Sequence, residues 1–363
     1  MEQFSPKYIG DLIGVSEACE LLSISRTTLF QYRRKYAISS IKVRRTLKFS
    51  KVEALQKLYT RLNPPPGKVA FTIYSDSNIE SLKLDDSSYD LRMIDVIDGH
   101  GAISLVCHLI SEMNKGKNIH LLFDSTNIFL KSMGFFSALR MYLNKKIFWD
   151  DHLYESISII NYGCIKLPIR KLGIVGAHTK LTDDLTVSLS AQGYSNDICS
   201  YIGWAMGELA DNSATHAKTH PSFTYFEQFG EDKRFLQLTI GDTGIGIAES
   251  LRSNVKYKDL DNNRALLMAF KPYVSGRSDE EERGKGLTDV LQIAMECGSN
   301  LRVESNGVGY IYAFNEGIDN FQTCSPIYKG TGTIVSILFI DGQFGSVERA
   351  DVDCYINHCL EKL

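Results

Sequence analysis

The sequence predicts a multidomain α+β protein: short helices with a basic hairpin, then a mixed α/β region, then a C-terminal region of strands and helices with two glycine loops. Three observations carry this expectation. A chain of 363 residues with 44% hydrophobic residues is too long for one ordinary core and can bury two or three. Three of its eight prolines stand together in Asn63-Pro64-Pro65-Pro66-Gly67, a run that cannot continue a helix and stiffens a connection. Further on, a strand-like alternation runs into a tight glycine turn, and a second glycine loop opens a helix. The expected division is 1–62, a Pro-rich linker at 63–68, a middle region at 69–168 and a C-terminal region at 169–363, with the second boundary near Pro168.

In the first part, Ser16 can cap a helix through Leu22 and Ser25 a second through Lys35, with Ser23 and Ile24 between them. That is helix-turn-helix spacing. From Arg26 to Lys51 there are nine basic residues and no acidic one, in a chain of formal charge −3. Such segregation suits a surface that neutralises phosphates. The strings Val15-Ser16-Glu17-Ala18, Ser25-Arg26-Thr27-Thr28-Leu29 and Arg44-Arg45-Thr46-Leu47-Lys48-Phe49-Ser50 resemble the MerR and excisionase type of winged helix-turn-helix. The resemblance implies DNA as a partner, with Arg26, Thr27 and Gln31 facing base edges and Arg33, Arg44, Arg45 and Lys48 holding phosphates. A solvated basic face on a helical adaptor is the plainer alternative.

The middle region alternates strand-like and helix-like runs. Asn118 to Asp124 predicts a buried strand ending in an acid, and Gly134 to Arg140 a helix start after a loop. This order resembles a STAS domain, the fold of anti-anti-sigma factors, which implies a protein partner. The family's Asp-Ser-Ser-Gly is replaced by Lys131-Ser132-Met133-Gly134, so Ser132 lacks its usual neighbours. A packing or dimerising role is the alternative.

The C-terminal region holds three separated segments. Glu208, Asn212 and His216 are spaced four apart in a run that predicts a helix from near Asn196, so a carboxylate, an amide and an imidazole line one face. An amide oxygen suits magnesium, and a carboxylate can take a proton from water. Leu238 to Ile247 predicts a strand ending at Asp242, a hydrogen-bond acceptor, with Gly244 and Gly246 leaving room for close backbone approach. Gly284-Lys285-Gly286 opens a helix, whose first amides and Lys285 suit phosphate. No G-x-x-x-x-G-K-[ST] occurs.

These segments resemble the N, G1 and G2 boxes of the GHKL ATPases (gyrase, Hsp90, histidine kinases, MutL), and Lys329-Gly330-Thr331-Gly332-Thr333 resembles the strand that closes that family's site. The likeness covers roughly residues 180 to 342 and implies the Bergerat α/β sandwich with ATP and Mg2+ as ligands. Carried over, Glu208 is general base, Asn212 a magnesium ligand, His216 near phosphate, Asp242 on adenine, Gly284, Lys285 and Gly286 around phosphate, and Thr333 at the closing strand. Residues 248 to 283 would form the ATP lid, with Phe270-Lys271-Pro272-Tyr273 similar to the aromatic segment of kinase members.

Three uses of ATP follow. The favoured one is a DNA-binding ATPase that acts as a nucleotide-controlled regulatory switch. An anti-sigma-type serine kinase and a regulator that holds ATP without turnover are the alternatives. A histidine kinase is disfavoured, since no phosphoacceptor segment surrounds His152 or His178. Homodimers are an expectation for both end modules. Eight scattered cysteines without a C-x-x-C pair, no leader pattern and no long apolar run favour a reducing, cytoplasmic setting without a membrane span.

Overall fold

The computed structural model describes residues 12–21, 24–35, 40–43, 46–51, 68–159, 165–173, 178–217, 220–229, 235–276, 286–315, 318–340 and 352–361. Arg44, Arg45, Gly284, Lys285 and most of the Pro-rich linker lie outside them. The chain has a mixed α/β fold.

At the N-terminus, β1 (Leu12–Gly14), α1 (Val15–Leu21), α2 (Arg26–Lys35), β2 (Ser40–Val43) and β3 (Thr46–Ser50) follow in order. The strands form an antiparallel sheet in the order β1-β3-β2. Helix α1 opens at Val15, one residue before the expected cap. Ser25 does cap α2: its Oγ accepts the Thr28 N–H at 3.1 Å. Ile13, Ala18, Leu29 and Phe49 make the core of this unit.

The middle region contains β4 (Val69–Phe71), β5 (Lys83–Asp85), β6 (Ser88–Asp90), β7 (Ile94–Ile97), α3 (Gly99–Asn114), β8 (Ile119–Leu122), α4 (Ile128–Ser132), α5 (Phe135–Leu139), β9 (Ile147–Phe148) and α6 (Asp151–Ser156). It builds two small sheets, a parallel β4-β7 pair and a four-stranded sheet in the order β5-β6-β8-β9. All four residues of β8 are buried, as a strand covered on both faces requires.

The C-terminal region contains β10 (Ile165–Lys171), α7 (Thr179–Ala191), α8 (Asn196–Ala217), β11 (Ser222–Phe229), β12 (Phe235–Asp242), α9 (Gly246–Arg252), α10 (Asn262–Met268), α11 (Gly286–Glu296), β13 (Asn300–Ser305), β14 (Val308–Asn315), β15 (Ile318–Cys324), β16 (Thr333–Ile340) and α12 (Val352–Glu361). Its seven strands form an antiparallel sheet in the order β10-β11-β12-β16-β13-β14-β15. Period-two alternation divides each central strand between two cores. Leu236, Leu238 and Ile240 of β12 join the core on the side where β12 packs against α8. On the opposite side, Phe223 and Tyr225 of β11 and Ile334 of β16 join the core of the middle region.

Helix α3 explains that second core. It packs on β11, β12 and β16 with one side and on β4, β7 and β8 with the other, so nearly every residue from Gly99 to Met113 is buried. Leu105, Val106, Leu109 and Ile110 are each almost wholly removed from water, worth roughly 1.5 to 3 kcal/mol apiece. Two glycines permit the approach: a Cβ on Gly99 would strike the Tyr225 ring and one on Gly241 would strike Ile103 and Ile334. Middle and C-terminal regions therefore share one continuous core. Pro168 lies inside edge strand β10 rather than between elements, where a missing N–H is tolerated. The neighbouring Ile169 N–H donates to Met133 O at 2.7 Å, so the turn between α4 and α5 covers that edge.

Candidate functional site

Helix α8 is the element around which the predicted site residues gather, since it packs on β12, on α9 and on α11. Its apolar side, including Ile202, Met206 and Leu209, is buried in the core. Glu208 and Asn212 lie one turn apart at the half-buried border of that side. His216 belongs to the same helix; its side chain lies outside the described residues.

The seam between α8 and α11 is unusually close at one point. Gly286 opens α11, and a Cβ there would overlap the side-chain amide of Asn212. The amide thus sits against the first turn of a helix whose leading N–H groups have no intrahelical partner. One turn further, Asp289 of α11 acts on Glu208. Burial, then the Asp289 charge, push the Glu208 carboxyl above the ordinary carboxylate range, Asp211 adds to this, and a hydrogen bond from Trp204 partly opposes it. A more basic carboxylate is better suited to accept a proton near neutral pH.

The second group lies where β12 ends. Asp242 is 5% exposed, and burial pushes its carboxyl up to about 7 despite hydrogen bonds from the Gly244 and Thr333 backbone. The Gly244 N–H donates to Asp242 Oδ1 at 2.7 Å. Two glycines are required around it. Gly246 has φ 79° and touches Thr331 and Asn306, while a Cβ on Gly332 would overlap the Asp242 carbonyl. Thr333 is half-buried at the start of β16.

Asn306, which the sequence reading did not single out, fixes this turn. Its Nδ2 donates to Ile245 O at 2.9 Å and its Oδ1 accepts the Ala248 N–H at 3.0 Å. The Ile247 N–H donates to Ser305 Oγ at 2.9 Å. Asn306 and Gly307 have φ of 50° and 76°, the positive pair that a two-residue hairpin demands. In sequence an Asn-Gly dipeptide signals only that hairpin, so its second task was hidden. Asp289 was missed for a similar reason, because an acid in a first helical turn is ordinary.

Between the two glycine loops, α9 and α10 form a small body with its own core of Ala248, Leu251, Tyr257 and Ala265. Arg252 ties it together through Leu260 O and Asn262 Oδ1, at 2.9 and 2.5 Å. Phe270 is buried in the main core, whereas Tyr273 is exposed with φ 63°.

The predicted DNA-facing residues lie far from this chemistry in the chain. Arg26, Thr27 and Gln31 are exposed on α2, and Arg33 and Lys48 are half-buried. Lys51, counted in the basic run, is turned inward, with its Nζ 3.2 Å from Asp85 and 3.1 Å from Ser87 Oγ. It joins the first unit to the middle region. Ser132 has a buried hydroxyl without a hydrogen-bond partner among the described residues. Among those residues there is no cluster of three or more His, Cys, Asp or Glu side chains that could hold a metal, and no helix long and apolar enough to cross a membrane.

The chain matches no protein-family model and no curated protein. Solved structures similar to part of it include the mycobacterial sensor histidine kinase MprB, at 18% identity and a TM-score of 0.26 over 47% of this chain and 97% of that one. A second is the 43K ATPase domain of Thermus thermophilus gyrase B in complex with an aminocoumarin, at 19% identity and a TM-score of 0.22 over 43% of this chain and 38% of that one. A third is the topoisomerase IV ATP-binding domain of Francisella tularensis, at 16% identity and a TM-score of 0.17 over 33% of this chain and 32% of that one. The chain spans well under half the length of the last two. Likeness of this size decides nothing about this chain, whose chemistry rests on its own residues.

Proposed function

We propose that the C-terminal half is a Mg-ATP-binding domain of the GHKL type, and that ATP turnover there switches the state of a DNA-bound protein. The observation that carries the reading is the placement of the Asn212 amide directly over Gly286, at the start of α11. A sequence-distant amide and a helix start, with no side chain between them, suit the phosphate end of a nucleotide. Asp242, buried at the end of β12 between glycines that exclude side chains, suits the base end as an acceptor for the adenine amine.

The donor set fits magnesium: Asn212 would supply an oxygen, and a bound ion would add charge neutralisation between phosphates. In the proposed reaction Glu208 takes a proton from water as the water oxygen bonds to the γ-phosphorus. The bond from that phosphorus to the β,γ-bridging oxygen breaks, and ADP leaves with the electron pair. Burial in the seam, with the Asp289 charge added, keeps Glu208 basic for this task. The exposed Arg26, Thr27 and Gln31, with Arg33 and Lys48, support DNA as the partner of the N-terminal unit.

Transfer of phosphate to Ser132 within the chain is disfavoured by its buried hydroxyl. Following the fate of labelled γ-phosphate separates the readings. Free phosphate is expected from the wild type, falling about a hundred- to ten-thousandfold in Glu208→Gln. Label on protein would replace the ATPase with a kinase, and undiminished release by Glu208→Gln would remove that residue as base.

A further inference from the structure

The face of the seven-stranded sheet that meets α3 has a polar centre. Strand β13 sends Leu301 and Val303 to one core and Arg302 and Glu304 to the other side. Glu304 is completely buried and receives four donors. They are His100 Nε2 of α3 at 3.0 Å, Arg302 Nε at 2.8 Å, and the Ile327 and Tyr328 N–H groups at 3.0 and 2.9 Å. His100 is held in turn by Ser336 Oγ at 2.8 Å. A buried carboxylate held by three donors on Oε1 and one on Oε2 is a rigid anchor, and here it fixes the start of the segment from Ile327 to Gly332.

The other end of that segment is held by Tyr328, whose own N–H is one of the four donors to Glu304. The Gly332 N–H donates to the Tyr328 hydroxyl at 3.3 Å, and the phenol is buried. Gly330 lies so close to the ring that a Cβ would overlap it, and the Gly332 Cα lies so close to the Asp242 carbonyl that a Cβ would overlap that too. The loop is therefore wrapped around one side chain, with its last glycine pressed on the residue proposed to read the base. Tyr328 does not belong to any motif recognised in the sequence. Its task is visible only once β13, α3 and the loop are seen together.

We infer that Tyr328 is a positioning residue for base selection, its hydroxyl holding the Gly332 backbone against Asp242 so that the carboxylate is presented at a fixed height to the adenine amine. This rests on the reading of Asp242 as the adenine contact. Removing the hydroxyl leaves the buried Gly332 N–H without its acceptor, and the loop relaxes toward other partners. The group that suffers is the one that distinguishes purines, because guanine carries an oxygen where adenine carries the amine.

The test uses the full chain with Tyr328→Phe, a change that keeps the ring and its packing. Affinity for Mg-ATP is measured by calorimetry, Mg-GTP by competition, and the thermal midpoint serves as a control. The expected result is a three- to tenfold loss of ATP affinity, the scale of one hydrogen bond, with GTP changed less than twofold, so the ATP preference shrinks. Unchanged ATP affinity would overturn the inference. Equal losses for both nucleotides would overturn it as well, since general softening of the fold acts on both alike. Asp242→Asn distinguishes the parent reading: if that variant binds ATP and GTP as the wild type does, Asp242 is not the base contact and both statements fall together. If it loses the preference while Tyr328→Phe keeps it, only the role of Tyr328 is lost.

Discussion

Nucleotide affinity should depend on pH through Asp242, and the sign can be worked out from its surroundings. Burial raises its carboxyl from 3.8 to about 7, so the empty folded protein holds a proton there that the unfolded chain has already released. Stability from this group is fully present below about pH 4 and is lost as pH rises through about 7. The rise from 3.8 to about 7 corresponds to something on the order of 4 kcal/mol across that window. Binding runs the other way. An ionised carboxylate is the stronger acceptor for the adenine amine, so a proton must leave before the base is fully engaged. With a midpoint near 7, the ionised fraction is about one in ten at pH 6 and nine in ten at pH 8, and apparent affinity scales with that fraction. Calorimetry in matched-salt buffers should show ATP bound about tenfold more weakly at pH 6 than at pH 8, with the dependence largely absent in Asp242→Asn. Equal dissociation constants at the two pH values, or a dependence that persists in the variant, would refute the argument.

Gly286→Ala is expected to weaken Mg-ATP about tenfold while shifting the thermal midpoint by only a few degrees, because the added methyl displaces the rotatable end of Asn212 rather than backbone; unchanged affinity would detach the seam from the nucleotide. The N-terminal unit should bind duplex DNA with affinity falling roughly a thousandfold between 50 and 200 mM salt if about six phosphates are contacted. Reversing Arg44 and Arg45 to glutamate should weaken binding to all sequences alike, and affinity indifferent to that double reversal in a filter or anisotropy assay would eliminate the winged-helix reading.

What could be read in the sequence was local. The alternation from Leu238 to Ile240 and the glycine turn after Asp242 correspond to the end of β12 and the start of α9, because period and turn chemistry are properties of a few adjacent residues. The four-residue spacing of Glu208 and Asn212 likewise needs nothing beyond helix geometry. Long-range partnerships were not legible. Helix α3 carries histidines, serines and glycines among its apolar residues, which reads as an ordinary amphipathic helix, yet it is buried between two sheets. Its His100 makes sense only opposite Glu304 and Ser336, and its His108 only opposite the Tyr89 hydroxyl. Lys51 shows the same limit in charge: the basic run suggested a solvent-facing cation, and the fold pairs it with Asp85. Pro168 marked a boundary by composition, but an edge strand accommodates proline as readily as a linker does.

The central claim, that the α8 and β12 residues form one ATP site, is tested most directly by calorimetric titration of Mg-ATP into the intact chain and into Asp242→Ala. The account predicts one nucleotide per wild-type chain, and a ten- to hundredfold loss in a variant that still unfolds cooperatively, the scale of a buried hydrogen bond to a charged group. Wild-type affinity in Asp242→Ala, or no heat of binding from the wild type, would contradict it.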